Sequence, residues 1–152
     1  MGAAAYVTAE QASAAFGKVN PYAHGILPIL VVIENGTGKT IRADLRAEWE
    51  DSDRRHVEAM PPGDVVLFNG VRKAPGIPNT SPIPHKKAKG PLHTWEIEGR
   101  AFSAKLIPPG ETASGFIYFE SNFQPGSHLV MSGLKDAATG QDYFFFEIPL
   151  DK

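Results

Sequence analysis

Cysteine is absent from this 152-residue chain. Disulfides, zinc–thiolate sites and thiol nucleophiles are therefore excluded, since each needs a cysteine sulfur. The absence does not identify a compartment, because an oxidising one permits disulfides without demanding them. Long apolar runs are lacking too. None approaches the roughly 20 residues that a membrane-spanning helix needs, so no membrane span is expected. Charge of one sign is equally scarce. Fifteen Lys and Arg stand against 17 Asp and Glu, a formal net charge of -2, which gives no overall reason to expect nucleic acid. The start, Met1-Gly2-Ala3-Ala4-Ala5, has neither a basic n-region nor a long apolar h-region and is not expected to act as a signal peptide. Tyr6 stands where a myristoylation signal wants Ser or Thr. No internal repeat is visible. What remains is an ordinary globular composition, 42% hydrophobic and 21% charged, long enough for one domain over 1–152 with a real core.

The stretch 26–50 organises the chain. An apolar run over 26–33 meets the turn cluster Asn35-Gly36-Thr37-Gly38-Lys39, and a strictly alternating segment follows. Ile41, Ala43, Leu45, Ala47 and Trp49 fall on one face, while Thr40, Arg42, Asp44, Arg46 and Glu48 fall on the other. Period two predicts a half-buried antiparallel strand over 40–50, and the Asn/Gly turn between two apolar runs predicts a hairpin. Before it, Thr8 with Gln11 makes a capping-box pattern and Gly17 a stop, so a short helix is expected over 8–16. Asn20-Pro21 ends that lead-in, 1–25 in all. After it, further strands are expected over about 54–59, 64–68, 114–121, 127–132 and 142–150. A short helix is expected after Leu92, where Leu92, Trp95, Phe102 and Leu106 sit near helical spacing. Seven or so short strands with turn signals between them predict an all-β, immunoglobulin-like β-sandwich with one or two short helices.

Motifs with chemical meaning are few. Gly38-Lys39-Thr40 has the end of a P-loop, but Ile33 stands where the first glycine belongs and a strand follows instead of a helix. The five histidines, His24, His56, His85, His93 and His128, contain no i, i+4 pair. Glu48, Glu50, Asp51 and Asp53 cluster beside Trp49. Counted from Asp51, the calcium-loop pattern fails, with Arg55 in place of a ligand and His56 in place of the glycine. A solvated turn is the expectation. There is no G-x-S-x-G. Asn35-Gly36-Thr37 and Asn79-Thr80-Ser81 match the glycosylation sequon and read as turns. Phe116, Tyr118, Phe119, Phe123, Tyr143, Phe144, Phe145 and Phe146 suggest sandwich core with some outward aromatics. No catalytic residue, metal or cofactor is assigned.

One stretch is asymmetric. Residues 71–95 carry Arg72, Lys73, Lys86, Lys87 and Lys89 with no acid, leaving 10 basic against 17 acidic residues elsewhere. Pro75, Pro78, Pro82, Pro84 and Pro91 stiffen the same stretch. A long proline-rich loop over 71–92 is expected. Arg72, Lys73, His85, Lys86, Lys87 and Lys89 are its candidate partner-binding residues, facing an acidic surface of the chain itself or of another protein.

Several turns and strand starts carry a family resemblance. They are Asn20-Pro21-Tyr22, Gly25-Ile26-Leu27-Pro28, the Asn35 turn, Pro108-Pro109-Gly110-Glu111-Thr112-Ala113-Ser114-Gly115-Phe116, and Thr139-Gly140 before an aromatic strand. In these the chain resembles an uncharacterised group of bacterial cell-envelope proteins, exported or lipoprotein-like, made as single immunoglobulin-like domains. The resemblance covers most of the chain. It implies a non-enzymatic binding or structural module in the periplasm, the outer envelope or the extracellular space, with peripheral envelope association and no catalytic residues. The alternatives are a subunit of a homo-oligomeric or filamentous assembly, joined through the 71–92 arm or an edge strand, and a hydrolase or metal-dependent enzyme.

Overall fold

A computed structural model describes residues 1–68 and 90–150. The arm residues Arg72, Lys73, His85, Lys86, Lys87 and Lys89 lie outside the described residues. Helix α1, Ala9–Phe16, begins as its sequence dictates. Thr8 caps the Gln11 N–H while the Gln11 side chain accepts from the Thr8 N–H, and Gly17 ends the helix at φ 68°. A 3-10 turn over Pro21–His24 follows, and Gly25 leaves it in the left-handed region.

Two antiparallel sheets form the body. The first has the order β1-β2-β6, from Gly2–Ala5, Ile26–Glu34 and Thr112–Glu120. The second runs β4-β3-β7-β8, from His56–Glu58, Ile41–Glu50, His128–Asp136 and Phe146–Pro149, with β5, Leu106–Ile107, also paired to β3.

The apolar run of β2 is explained by burial on both faces. Leu27, Ile29, Val31 and Ile33 face the space between the sheets, with Trp49, Phe119, Leu129 and Met131. Ile26 faces outward under a helical layer, with Leu30 half-buried beside it. That layer is α1 with α2, Pro62–Val66, and α3, Trp95–Gly99. Phe16, Val65, Leu92 and Ile97 close over Phe116 and Tyr118 there. Strand β6 divides its aromatics accordingly: Phe116 and Tyr118 lie under the helices, Phe119 between the sheets. The Tyr118 hydroxyl donates to the Ile97 carbonyl at 2.7 Å, and burial pushes its pKa well above the ordinary phenol value.

The hairpin expected at Asn35 is not formed. Strands β2 and β3 belong to different sheets, and the turn is a crossing between layers. The reason lies in Asn35, which is fully buried. Its amide donates to the Lys39 carbonyl at 2.6 Å and to the Ile107 carbonyl at 2.8 Å. Its oxygen accepts from the Thr37 N–H and hydroxyl. A two-sided apolar strand and a half-exposed alternating one also suit different layers.

Other expectations change too. Of the residues expected as a strand over 64–68, Asp64 to Val66 lie in α2, which opens with Pro62 in its first turn and Asp64 near its start, and Leu67 and Phe68 follow its end. The last strand is only β8, because Asp142 caps the Phe144 N–H and Phe144 sits at φ 67°, outside strand geometry. The lead-in contains β1, whose residues pair in register with Ile29 to Val32. The short helix expected after Leu92 is α3, while Leu106 lies in β5. Among the described residues, three α-helices, one 3-10 turn and eight strands result.

Candidate functional site

Two backbone crossings between the sheets frame a concavity in the side of the sandwich. After β4 the chain leaves the second sheet, and the Met60 N–H donates to the Tyr118 carbonyl on the edge of β6. It returns through Ala101 and Phe102, where the Phe102 N–H donates to the Phe116 carbonyl and the Phe116 N–H to the Arg100 carbonyl. The second crossing depends on Gly115, since a Cβ there would collide with the Phe102 backbone.

Between the crossings lies an apolar groove of about 220 Å³, lined by Leu45, Met60, Pro61, Phe102, Ile117 and Tyr118 among others. A charged recess continues from it past Ala47 and Ala59 to Arg46, Glu48 and Glu58.

The groove floor includes an uncovered edge. Strand β4 pairs with β3 at Glu48 to Glu50, extended by the Ala59 N–H donating to the Ala47 carbonyl. Strand β5 pairs with Ile41 and Arg42, extended by the Ala43 N–H donating to the Lys105 carbonyl. Among the described residues no strand covers that side of β3 between Ala43 and Ala47. On its other side β3 bulges against β7. The register shifts between Ala43 and Arg46 opposite Gly133, which sits at φ 93° where a Cβ would strike the Asp44 carbonyl. Leu45 is therefore only half-buried and turned to the groove, whereas Trp49 is fully buried.

The charged rim is uneven. Glu48 and Glu58 are direct cross-strand partners. His56 Nδ1 lies 3.2 Å from Glu48, and its Nε2 lies 3.7 Å from Glu50. Like charges placed opposite each other destabilise a strand pair, and the imidazole between Glu48 and Glu50 offsets part of this when protonated. Arg42 pairs with Asp44 at 3.3 Å. Arg46 is exposed and makes no ion pair among the described residues.

Several of the remaining sequence candidates have structural work. Asp51 is buried inside its own turn and accepts from the Asp53 and Arg55 N–H groups at 2.8 and 2.9 Å, with the Arg55 guanidinium at 3.0 Å. The Arg55 N–H above all, against the opposing effect of burial, lowers its pKa. Asp136 holds the opposite corner, accepting from Ala138 and Thr139 with Lys39 at 3.5 Å. The Ala138 N–H leads in lowering its pKa, again against burial. Lys39 of the P-loop-like triplet is therefore a corner partner. His128 lies 3.8 Å from Glu147 on the outer face of the second sheet, and His24 and His93 are exposed. Among the described residues no group of three His, Asp or Glu has the arrangement to hold a metal ion.

No family model matches the chain, and neither does any curated protein or solved structure. The groove was missed in the sequence because it is built by residues from four separate stretches. The one local signal was Leu45 on the inward face of a strand whose neighbours there, Ala43 and Ala47, are small.

Proposed function

We propose that the protein is a non-catalytic binding module, an immunoglobulin-like sandwich of the bacterial cell envelope, and that it engages its partner through the groove between the crossings at Met60 and Phe102. The observation that carries this reading is the coincidence, at one place, of an apolar recess and a strand edge left uncovered among the described residues. Exposed apolar concavities and open edges are the surfaces that proteins use for partners.

The immunoglobulin-like assignment is supported by the strand order: β2 and β6 neighbour each other in one sheet, and β3, β7 and β8 in the other, with the chain crossing layers between β2 and β3 and between β6 and β7. The envelope assignment rests on the family resemblance in the turns. A photo-crosslinking residue at Ala59, introduced in the organism's own cells, tests the reading. A discrete adduct in the envelope fraction is expected from Ala59 and none from the exposed helix position Glu10. Equal adducts from both, or a protein confined to the cytosol, would count against it.

A second reading, a subunit of a larger assembly, is favoured by one feature. Among the described residues, strands β1 and β8 each pair on one side only, and an apolar cleft of about 370 Å³ lies beside them, lined by Ala3, Ala5, Val7, Phe123 and Leu150. Strand addition there would join copies. Sizing in solution decides it: a monomer at tens of micromolar excludes that reading.

A further inference from the structure

We infer that the partner's contact is an exposed extended bend of a protein, carrying an acidic residue followed directly by a large apolar one. The inference rests on the groove being the binding surface and adds the class of ligand.

The geometry starts from the line of β4 and β5. Both run antiparallel to β3 and lie along the same side of it. Among the described residues, the chain leaves that line after Ala59 and rejoins it at Lys105. The gap faces Asp44, Leu45 and Arg46, about 13 Å from Ala43 to Ala47 at about 3.3 Å per residue. A three-residue extended segment continues the line, running in the direction of β4 and β5. A longer straight strand would meet the two crossings, so the segment must enter and leave outward, as a bend does.

Side-chain placement then follows from period two. The central residue of the segment stands opposite Leu45 and points the same way, into the apolar groove. The groove there measures about 220 Å³, far above the roughly 10–15 Å³ that admits one water, and takes one apolar side chain. The preceding residue stands opposite Arg46 and points outward beside it. Arg46 is the cation of the rim without an ion pair among the described residues, so an acid is favoured there. The following residue stands opposite Asp44, already paired with Arg42, and carries no charge requirement. Backbone pairing supplies affinity in this mode and the alternate side chains supply selectivity.

The test uses the full chain and a fluorescein-labelled capped peptide, Ac-TVEFTK-amide, with two companions in which Glu becomes Lys or Phe becomes Ala. Fluorescence anisotropy should show saturable binding of the first, at least tenfold weaker binding of both companions, and release by excess unlabelled peptide. Ala59→Trp, which fills the groove mouth, should abolish binding. Because that change could unfold the domain, Arg46→Glu at an exposed site is the second variant. It should reverse the preference between the Glu and Lys peptides by about tenfold or more. Absence of saturable binding by the parent protein, or binding indifferent to Arg46→Glu, overturns the inference. So does a groove already filled in the free protein, by a second copy or by the chain itself. If the peptide fails while crosslinks from Ala59 persist, the ligand class is wrong and the binding surface stands.

Discussion

Replacing Asn35 by alanine should cost more stability than any single change at the surface. The side chain donates to the Lys39 and Ile107 carbonyls and accepts twice from Thr37. Ile107 is 1% exposed, so its carbonyl loses a partner where water does not easily replace it. A net hydrogen bond contributes about 1 kcal/mol, and an orphaned buried acceptor costs about 1–3 kcal/mol. Thr37 sits on an exposed turn and can turn to water. The sum for Asn35→Ala is roughly 3–5 kcal/mol. At about 2–4 °C per kcal/mol for a chain of this size, the melting temperature should fall on the order of 10 °C. Thr37→Ala, which loses one partly exposed hydroxyl, should cost about 1 kcal/mol. Asn35→Asp should do no better than alanine, since it removes both donors and sets a carboxylate against two carbonyls. Thermal and urea melts of the three variants provide the check. An Asn35→Ala protein within about 0.5 kcal/mol of the parent, the range of an ordinary surface change, would refute the corner as the device that parts the two sheets. The same burial implies that Asn35 receives no glycan, which intact mass after expression in a glycosylating host would report.

Leu129→Ala should cost about 2–5 kcal/mol as a fully buried core truncation, and Leu45→Ala clearly less, with Arg46→Ala within about 0.5 kcal/mol, all read from denaturant melts. Gly133→Ala should destabilise by more than about 1 kcal/mol, because the position combines positive φ with a collision at the Asp44 carbonyl; the same melts decide it. Asp51 and Asp136 are held below their ordinary value of 3.8. The stability they contribute is fully present above about pH 4 and is lost as pH falls through their lowered folded values, so melting temperature followed downward from pH 5 should fall, and less steeply in Asp51→Asn than in the parent.

Local chemistry was legible where neighbours in sequence decide the outcome. Thr8, Gln11 and Gly17 specify α1 on their own, and alternation placed Ala43, Ala47 and Trp49 inward and Arg42 and Asp44 outward. Layer choice was not legible, because Asn35-Gly36 suits a hairpin and a crossing equally, and the deciding acceptor, Ile107, is 72 residues away. Ala3 to Ala5 carry little strand preference and are strand only because β2 offers an edge. The run Asp64 to Phe68 is too short for periodicity to separate helix from strand. The groove depends on Gly115 and Gly133, whose importance is a matter of what passes over them.

Among the described residues, the side of β3 at Leu45 is uncovered and lines the groove proposed to receive a partner. A chain without cysteine allows a clean measurement of it. Leu45→Cys, Arg46→Cys and Leu129→Cys would each be treated with a maleimide under native conditions, and modification followed by mass. The thiol at position 45 should react within about tenfold of the exposed position 46, while position 129 should react only on unfolding. A thiol at position 45 as protected as one at position 129 would contradict it.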